Sequence, residues 1–193
     1  FENPLKIYDD IKDNSSSKKI KYITERDDIW INIFSYYTCG KHIWPRGFPI
    51  SKVNKKSNFS FQTQKVIPSI ICGMIEGEPD VDAIFRLTNN HEKEPNLKWR
   101  DEAVIVNNKN MCVFNTQNTF WVNPELFFSL YIPSTVSFRY TDILRGIITN
   151  HILKLTDNHL MFSGINVKQI RNEHDLKKDF ESEQEMYLHN ENI

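Results

Sequence analysis

The sequence predicts a mixed α/β domain, and three observations carry that expectation. Short apolar runs of strand length are bounded by turn residues, as in Ile70-Ile71-Cys72-Gly73-Met74. One later segment, Thr141 to Leu155, has the spacing of a helix with a buried face. The length of 193 residues suits one domain or part of a larger one.

From Phe1 to Tyr37 the chain is polar, with acids at Asp9, Asp10 and Asp13, serines at 15 to 17 and then lysines. Lys19 to Ile23 alternates lysine with apolar residues, the pattern of a half-exposed strand. Most of this stretch is expected to be solvated surface. The adjacent acids Asp27 and Asp28 read as loop residues rather than metal ligands.

Gly40 to Pro49 contains Trp44-Pro45-Arg46-Gly47-Phe48-Pro49, in which two prolines around a glycine keep the backbone out of helix and ladder. A rigid connection is expected there, and rigid loops are where binding groups collect. Arg46 has two readings. Its guanidinium can grip a phosphate or carboxylate with paired hydrogen bonds, or it forms a structural ion pair between the core anchors Trp44 and Phe48.

Val66 to Met74 predicts a buried strand with a proline at its start. Asp80 and Asp82 follow the turn at Gly77-Glu78-Pro79, beyond the carboxyl end of that strand, where ligands of open α/β sheets gather. Two carboxylates at this spacing suit a hydroxylated ligand or a divalent cation, and Asp80 equally suits the cap of a helix over Val81 to Leu87. Ala103 to Val106 and Met111 to Phe114 read as two strands joined by a turn at Asn107 to Asn110. In the helix from Thr141, the buried face is predicted to hold Leu144, Ile147, Ile148, Ile152 and Leu155. Thr141 serves as cap, and Asp142 meets Arg145 on one face. Beyond Leu155 the chain turns polar apart from an apolar patch at Leu160 to Phe162, ending in an acidic stretch from Glu181 to Ile193 that is either helix or frayed tail.

Composition narrows the function. With 24 Lys+Arg against 25 Asp+Glu and no long basic block, the charge pattern that draws in nucleic acid is missing. No apolar run reaches the roughly 18 residues of a membrane helix, because Pro133 and hydroxyl residues interrupt the best one. Cys39, Cys72 and Cys112 match no zinc or redox spacing. The acceptor triplets Asn14-Ser15-Ser16 and Asn58-Phe59-Ser60 suit glycosylation in a secretory lumen. The start at Phe1, without a charged and apolar leader, reads as a removed leader or, the favoured expectation, as a piece of a longer protein.

Four segments in order carry a resemblance: Ile43-Trp-Pro-Arg-Gly-Phe-Pro-Ile50; Gly77-Glu-Pro-Asp-Val-Asp-Ala-Ile-Phe-Arg-Leu87; Pro133 to Ser137 before Asp142-Ile-Leu-Arg-Gly146; and Arg171-Asn-Glu-His174 with Lys178-Asp-Phe180. Together they resemble the STELLO family of plant Golgi glycosyltransferases, which has many relatives in nematodes. That family is distantly similar to the reversibly glycosylated polypeptides, UDP-arabinopyranose mutases with the nucleotide-sugar fold called GT-A.

The resemblance implies a mixed-sheet GT-A-like fold, of which this chain holds the C-terminal half. It divides the chain into a polar N-terminal segment at 1–30, a GT-A-like subdomain at 31–187 and a polar tail at 188–193. It implies that Arg46, Asp80, Asp82 and Arg145 bind substrate, with Arg46 toward a diphosphate or another anionic group, and that Asp142 is the catalytic residue, as the base or the acceptor-binding acid. It further implies a nucleotide sugar and a glycan or protein acceptor as partners, with Mn²⁺ or Mg²⁺ as cofactor of the full-length domain. The setting would be the Golgi lumen, in a single-pass type II membrane protein anchored upstream. The family's metal-binding Asp-X-Asp precedes the Trp-Pro-Arg-Gly turn. Its one upstream counterpart here, at Asp9 and Asp10, lies too near Phe1 to follow nucleotide-binding strands. Alone, the chain is expected to bind a nucleotide sugar poorly, and a non-catalytic scaffold or binding protein on the same fold is the alternative.

Overall fold

The computed structural model describes residues 19–89, 98–170 and 175–193. The acids at Asp9, Asp10 and Asp13, the triplet at Asn14 and the Arg171 to His174 segment lie outside them. The architecture is mixed α/β, built on a six-stranded sheet. Its strands are β1 (Ile20–Glu25), β2 (Phe59–Gln64), β3 (Ile70–Gly77), β4 (Val104–Val106), β5 (Thr119–Trp121) and β6 (Leu160–Gln169), ordered β2-β1-β4-β6-β3-β5. Among the described residues four α-helices accompany it: α1 (Ile33–Tyr37), α2 (Ala83–Thr88), α3 (Thr141–Thr156) and α4 (Leu176–His189).

β1 runs parallel to β4, β4 antiparallel to β6, and β6 parallel to β3. Strand direction therefore reverses between β4 and β6. The carboxyl ends of β3 and β6 lie at one edge, and those of β1 and β4 at the other.

β1 is covered more fully than its alternation suggests. Ile20 and Tyr22 pack with Ile71, Ile105 and Met161 on one face, while Ile23 enters the larger cluster on the other. Nor is the described part of the stretch up to Tyr37, residues 19–37, mainly solvated, since Trp30, Ile31, Ile33, Phe34, Tyr36 and Tyr37 are all buried. The Asn32 side chain accepts from the Ser35 N–H, starting α1 and turning those aromatic residues inward. β1, before Ile31, thus shares one sheet with strands that follow Ile31, pairing directly with β2 and β4. At the other end of the chain, Asn190 is buried and donates to the Gly47 carbonyl at 2.6 Å.

β3 begins at Ile70, two residues after Pro68, and continues to Gly77. Met111 to Phe114 is extended and buried but forms no ladder strand, contrary to its apolar pattern. Met111 makes a single bridge to Trp30. The next residue bonds to a helix side chain: Asn150 of α3 donates to the Cys112 carbonyl at 2.7 Å, and the Cys112 N–H donates back at 3.4 Å. A side-chain amide stands where a neighbouring strand would supply the pairing.

That contact also sets the face α3 buries. Ile143, Gly146, Ile147, Thr149, Asn150 and Leu153 are inward, Leu144, Ile148 and Ile152 are half-buried, and Leu155 is 87% exposed. A Cβ at Gly146 would collide with the Phe114 carbonyl, so glycine permits the close approach. The three cysteines are free thiols. Among the described residues no helix is long and apolar enough to cross a membrane.

Candidate functional site

The loop from Ile43 to Pro49 is fixed through its backbone. Pro45 bridges Val81, the Arg46 N–H donates to the Asp80 carbonyl at 2.9 Å, and Phe48 N–H donates to the Pro45 carbonyl at 3.1 Å. Gly47 has a φ of 85°, and a Cβ there would strike Ile143 of α3. Trp44 and Phe48 are buried as core anchors, with Trp44 edge-on to Phe85 at 5.1 Å.

This loop delivers Arg46 between two acids. Its Nε donates to Asp80 Oδ1 and Oδ2 at 3.1 and 3.2 Å, and its Nη2 to Asp80 Oδ2 at 2.9 Å. On the other side Nη1 donates to Asp142 Oδ1 at 3.2 Å and Nη2 to Asp142 Oδ2 at 3.0 Å. Nη1 donates also to the Arg139 carbonyl. All the donor directions of the fork therefore end inside the protein, and of its two readings the ion pair is the one formed. Burial disfavours the charged guanidinium, but the two carboxylates outweigh it and hold the proton more tightly than usual.

Asp80 also accepts from Asn115 Nδ2 at 2.6 Å. It does not cap α2. Because Val81 is held in its bridge to Pro45, the helix starts two residues later, at Ala83, and Asp82 is the cap, accepting from Phe85 N–H at 2.7 Å. Asp82 accepts in addition from Trp44 Nε1 at 2.5 Å and is fully buried. Burial lifts its carboxyl to about 6, with a smaller push from the nearby Glu183, against the pull of hydrogen bonds from Phe85 and Trp44.

Asp142 stands in the first turn of α3, where the helix dipole favours an anion, and accepts from the Ile143 N–H at 3.0 Å. Its side chain is 21% exposed, against 9% for Arg46 and 8% for Asp80, so it is the member of this cluster that reaches solvent. It does not pair with Arg145, because Arg46 draws its carboxylate inward. Arg145 turns instead to Thr116 Oγ1 at 2.8 Å and to the carbonyls of Leu130 and Tyr131. Thr141 is not the side-chain cap of α3; its hydroxyl donates back to the Phe138 carbonyl at 2.9 Å.

The structure thus brings Arg46, Asp80 and Asp142 into one cluster, sets Asp82 one layer deeper, and leaves Arg145 apart. Asp80 and Asp82 do not fit a divalent cation. One carboxylate is engaged by a guanidinium and an amide, the other by an indole and a helix N–H, and the positive charge between the loops is already that of Arg46. Among the described residues no group of three His, Cys, Asp or Glu side chains is placed to hold a metal.

Sequence reasoning missed a second layer. Arg139, whose carbonyl receives Arg46, sends its own guanidinium to Glu183 and to Asp179, the latter at 3.2 Å. Glu183 is fully buried and accepts from the Ala83 N–H at 2.8 Å and the Tyr187 hydroxyl at 2.9 Å. The signal was the spacing of Asp179, Glu183 and Met186, one helical face of α4 in which acids occupy inward positions.

Behind Arg46 and Asp80 a cleft lined by Cys72, Gly73, Met74 and Phe114 admits about 30 Å³. At roughly 10–15 Å³ per water that is room for about two waters. A nucleotide needs a pocket of about 300 Å³ or more. Comparison with known protein families and with characterised proteins finds no match to this chain.

Proposed function

We propose that the chain is the acceptor-side part of a GT-A-like glycosyltransferase domain in the Golgi lumen. It would transfer a hexosyl or pentosyl group from a nucleotide sugar to a hydroxyl of a glycan or protein. The observation that carries this reading is the posture of Asp142, a carboxylate at the surface, held in one orientation from behind by Arg46 and from below by the start of α3.

Asp142 Oδ2 accepts one protein hydrogen bond, from Arg46, and keeps a lone pair for an incoming hydroxyl. It would take the hydroxyl proton while the acceptor oxygen bonds to the anomeric carbon and the diphosphate leaves. Arg46 then orients the base, because its donors are engaged by Asp80, Asp142 and Arg139. The diphosphate and any Mn²⁺ or Mg²⁺ would be held by residues other than Asp80 and Asp82.

A second reading has a specific observation in its favour. A closed Arg46 cluster beside a cleft of two-water size suits a non-catalytic scaffold that keeps the fold. The test is transfer from a panel of nucleotide sugars by the longer natural protein, wild type and Asp142→Asn, alongside titration of this chain with UDP and Mn²⁺. The transferase reading expects activity that falls by about 10² to 10⁴ fold in the variant at unchanged melting temperature. It expects no UDP binding by the chain alone. A folded natural protein that neither binds UDP nor transfers sugar would establish the scaffold.

A further inference from the structure

We propose that Asn58 is an acceptor site for N-linked glycosylation. The triplet Asn58-Phe59-Ser60 carries the acceptor pattern, and the structure gives it the geometry of a tolerated site. Asn58 is exposed, at the residue before β2. Its backbone is anchored from two sides. The N–H donates to both carboxylate oxygens of Glu25 at 3.1 Å, and the carbonyl accepts from Arg26 N–H at 3.0 Å.

The side chain is left on the surface, where Nδ2 donates to Asp27 Oδ2 at 2.8 Å in an exposed contact. A glycosylated amide keeps one N–H, which can still donate to a surface carboxylate such as Asp27. No core residue has to move, because β2 is the outermost strand on its side of the described sheet and four of its six residues are exposed. The glycan would stand beside this outer edge. Open strand edges are what proteins commonly shield against pairing with other chains.

The donor is an oligosaccharide on a polyisoprenyl diphosphate, supplied in the secretory lumen. A bond forms between Asn58 Nδ2 and the anomeric carbon, and the bond from that carbon to the diphosphate oxygen breaks. The lipid diphosphate leaves with the electron pair, and the amide gives up one proton to a base of the modifying enzyme. The inference rests on the luminal placement in the reading above and not on its transfer chemistry.

The test is mass spectrometry of the tryptic peptide Ser57–Lys65 from the natural protein, after enzymatic release of N-glycans in ¹⁸O water. Labelled aspartate at position 58 is the expected result. Unmodified Asn58 overturns the proposal, whatever the state of Asn14. Routing the chain into the lumen behind a leader then separates the causes: a glycan acquired there means the luminal placement failed, and none means the site itself failed. In that expression Asn58→Gln and Ser60→Ala should each lose one electrophoretic step while Ser60→Thr keeps it, all three melting as wild type. A full step retained by Ser60→Ala would also overturn the assignment.

Discussion

Removing Arg46 leaves two carboxylates facing each other across a gap that its guanidinium now fills. Arg46→Met should therefore cost about 3–5 kcal/mol in urea unfolding, the usual loss when one partner of a buried pair is deleted. Arg46→Lys should fall between that variant and the wild type, since an ammonium lacks the planar fork that reaches Asp80 and Asp142 together. The Asp82 carboxyl, lifted to about 6 by burial, binds its proton at a higher pH in the folded state than in the unfolded chain. Its contribution to stability accordingly rises as the pH falls from about 7 and levels off near about 4, the unfolded value. Asp28 and Glu102 act in the opposite sense. Each is raised by burial but held lower overall by its donors, Lys55 with Trp30 N–H and Lys52 for Asp28, Lys21 with Tyr36 for Glu102. Their contributions are present above the unfolded carboxylate range and are lost below about 4. Urea midpoints between pH 7 and 4.5 should thus increase in the wild type relative to Asp82→Asn, and a difference independent of pH would refute the assignment.

Among the elements, α3 offers the sharpest test of packing against propensity. Alanine is the better helix former by about 1 kcal/mol, yet Gly146→Ala should destabilise by about 1–3 kcal/mol, because its methyl meets the Phe114 backbone. A thermal melt at or above the wild-type value would show that the extended segment can yield. The same contact explains what the sequence could express. The helix, its extent and the acid in its first turn were legible from spacing, but its rotation was not. Thr149 and Asn150 face inward, Asn150 to meet a segment that apolar counting treats as a strand, and a polar residue at a buried position is invisible to such counting. Arg46, Asp80 and Asp142 were legible as candidates, though only a folded chain reveals that they satisfy one another. The start of α2 was missed by two residues because the bridge from Val81 to Pro45 joins loops distant in sequence.

At the scale of the molecule, α4 acts as a strap over α2 and the turn before α3. Glu183→Ala would leave Arg139 and the Ala83 N–H without their shared acceptor, at a cost of about 3–5 kcal/mol. Hydrogen exchange should show lost protection at Ala83 and through α4, with the strands β3 and β6 little changed. Uniform loss across the sheet would instead mean that α4 is part of the central cooperative unit. The sheet order was beyond the sequence, since nothing in the local pattern of β6 says that it lies antiparallel to β4 and parallel to β3.

Arg46 meets Asp80 across 34 residues of sequence and Asp142 across 96. A partly assembled chain that buried this loop before α3 arrived would hold an undercompensated cation away from water. Such intermediates are penalised, so the loop should dock in the same kinetic step as α3 rather than ahead of it. The cluster proposed to orient a catalytic base would then also time the closing of the fold.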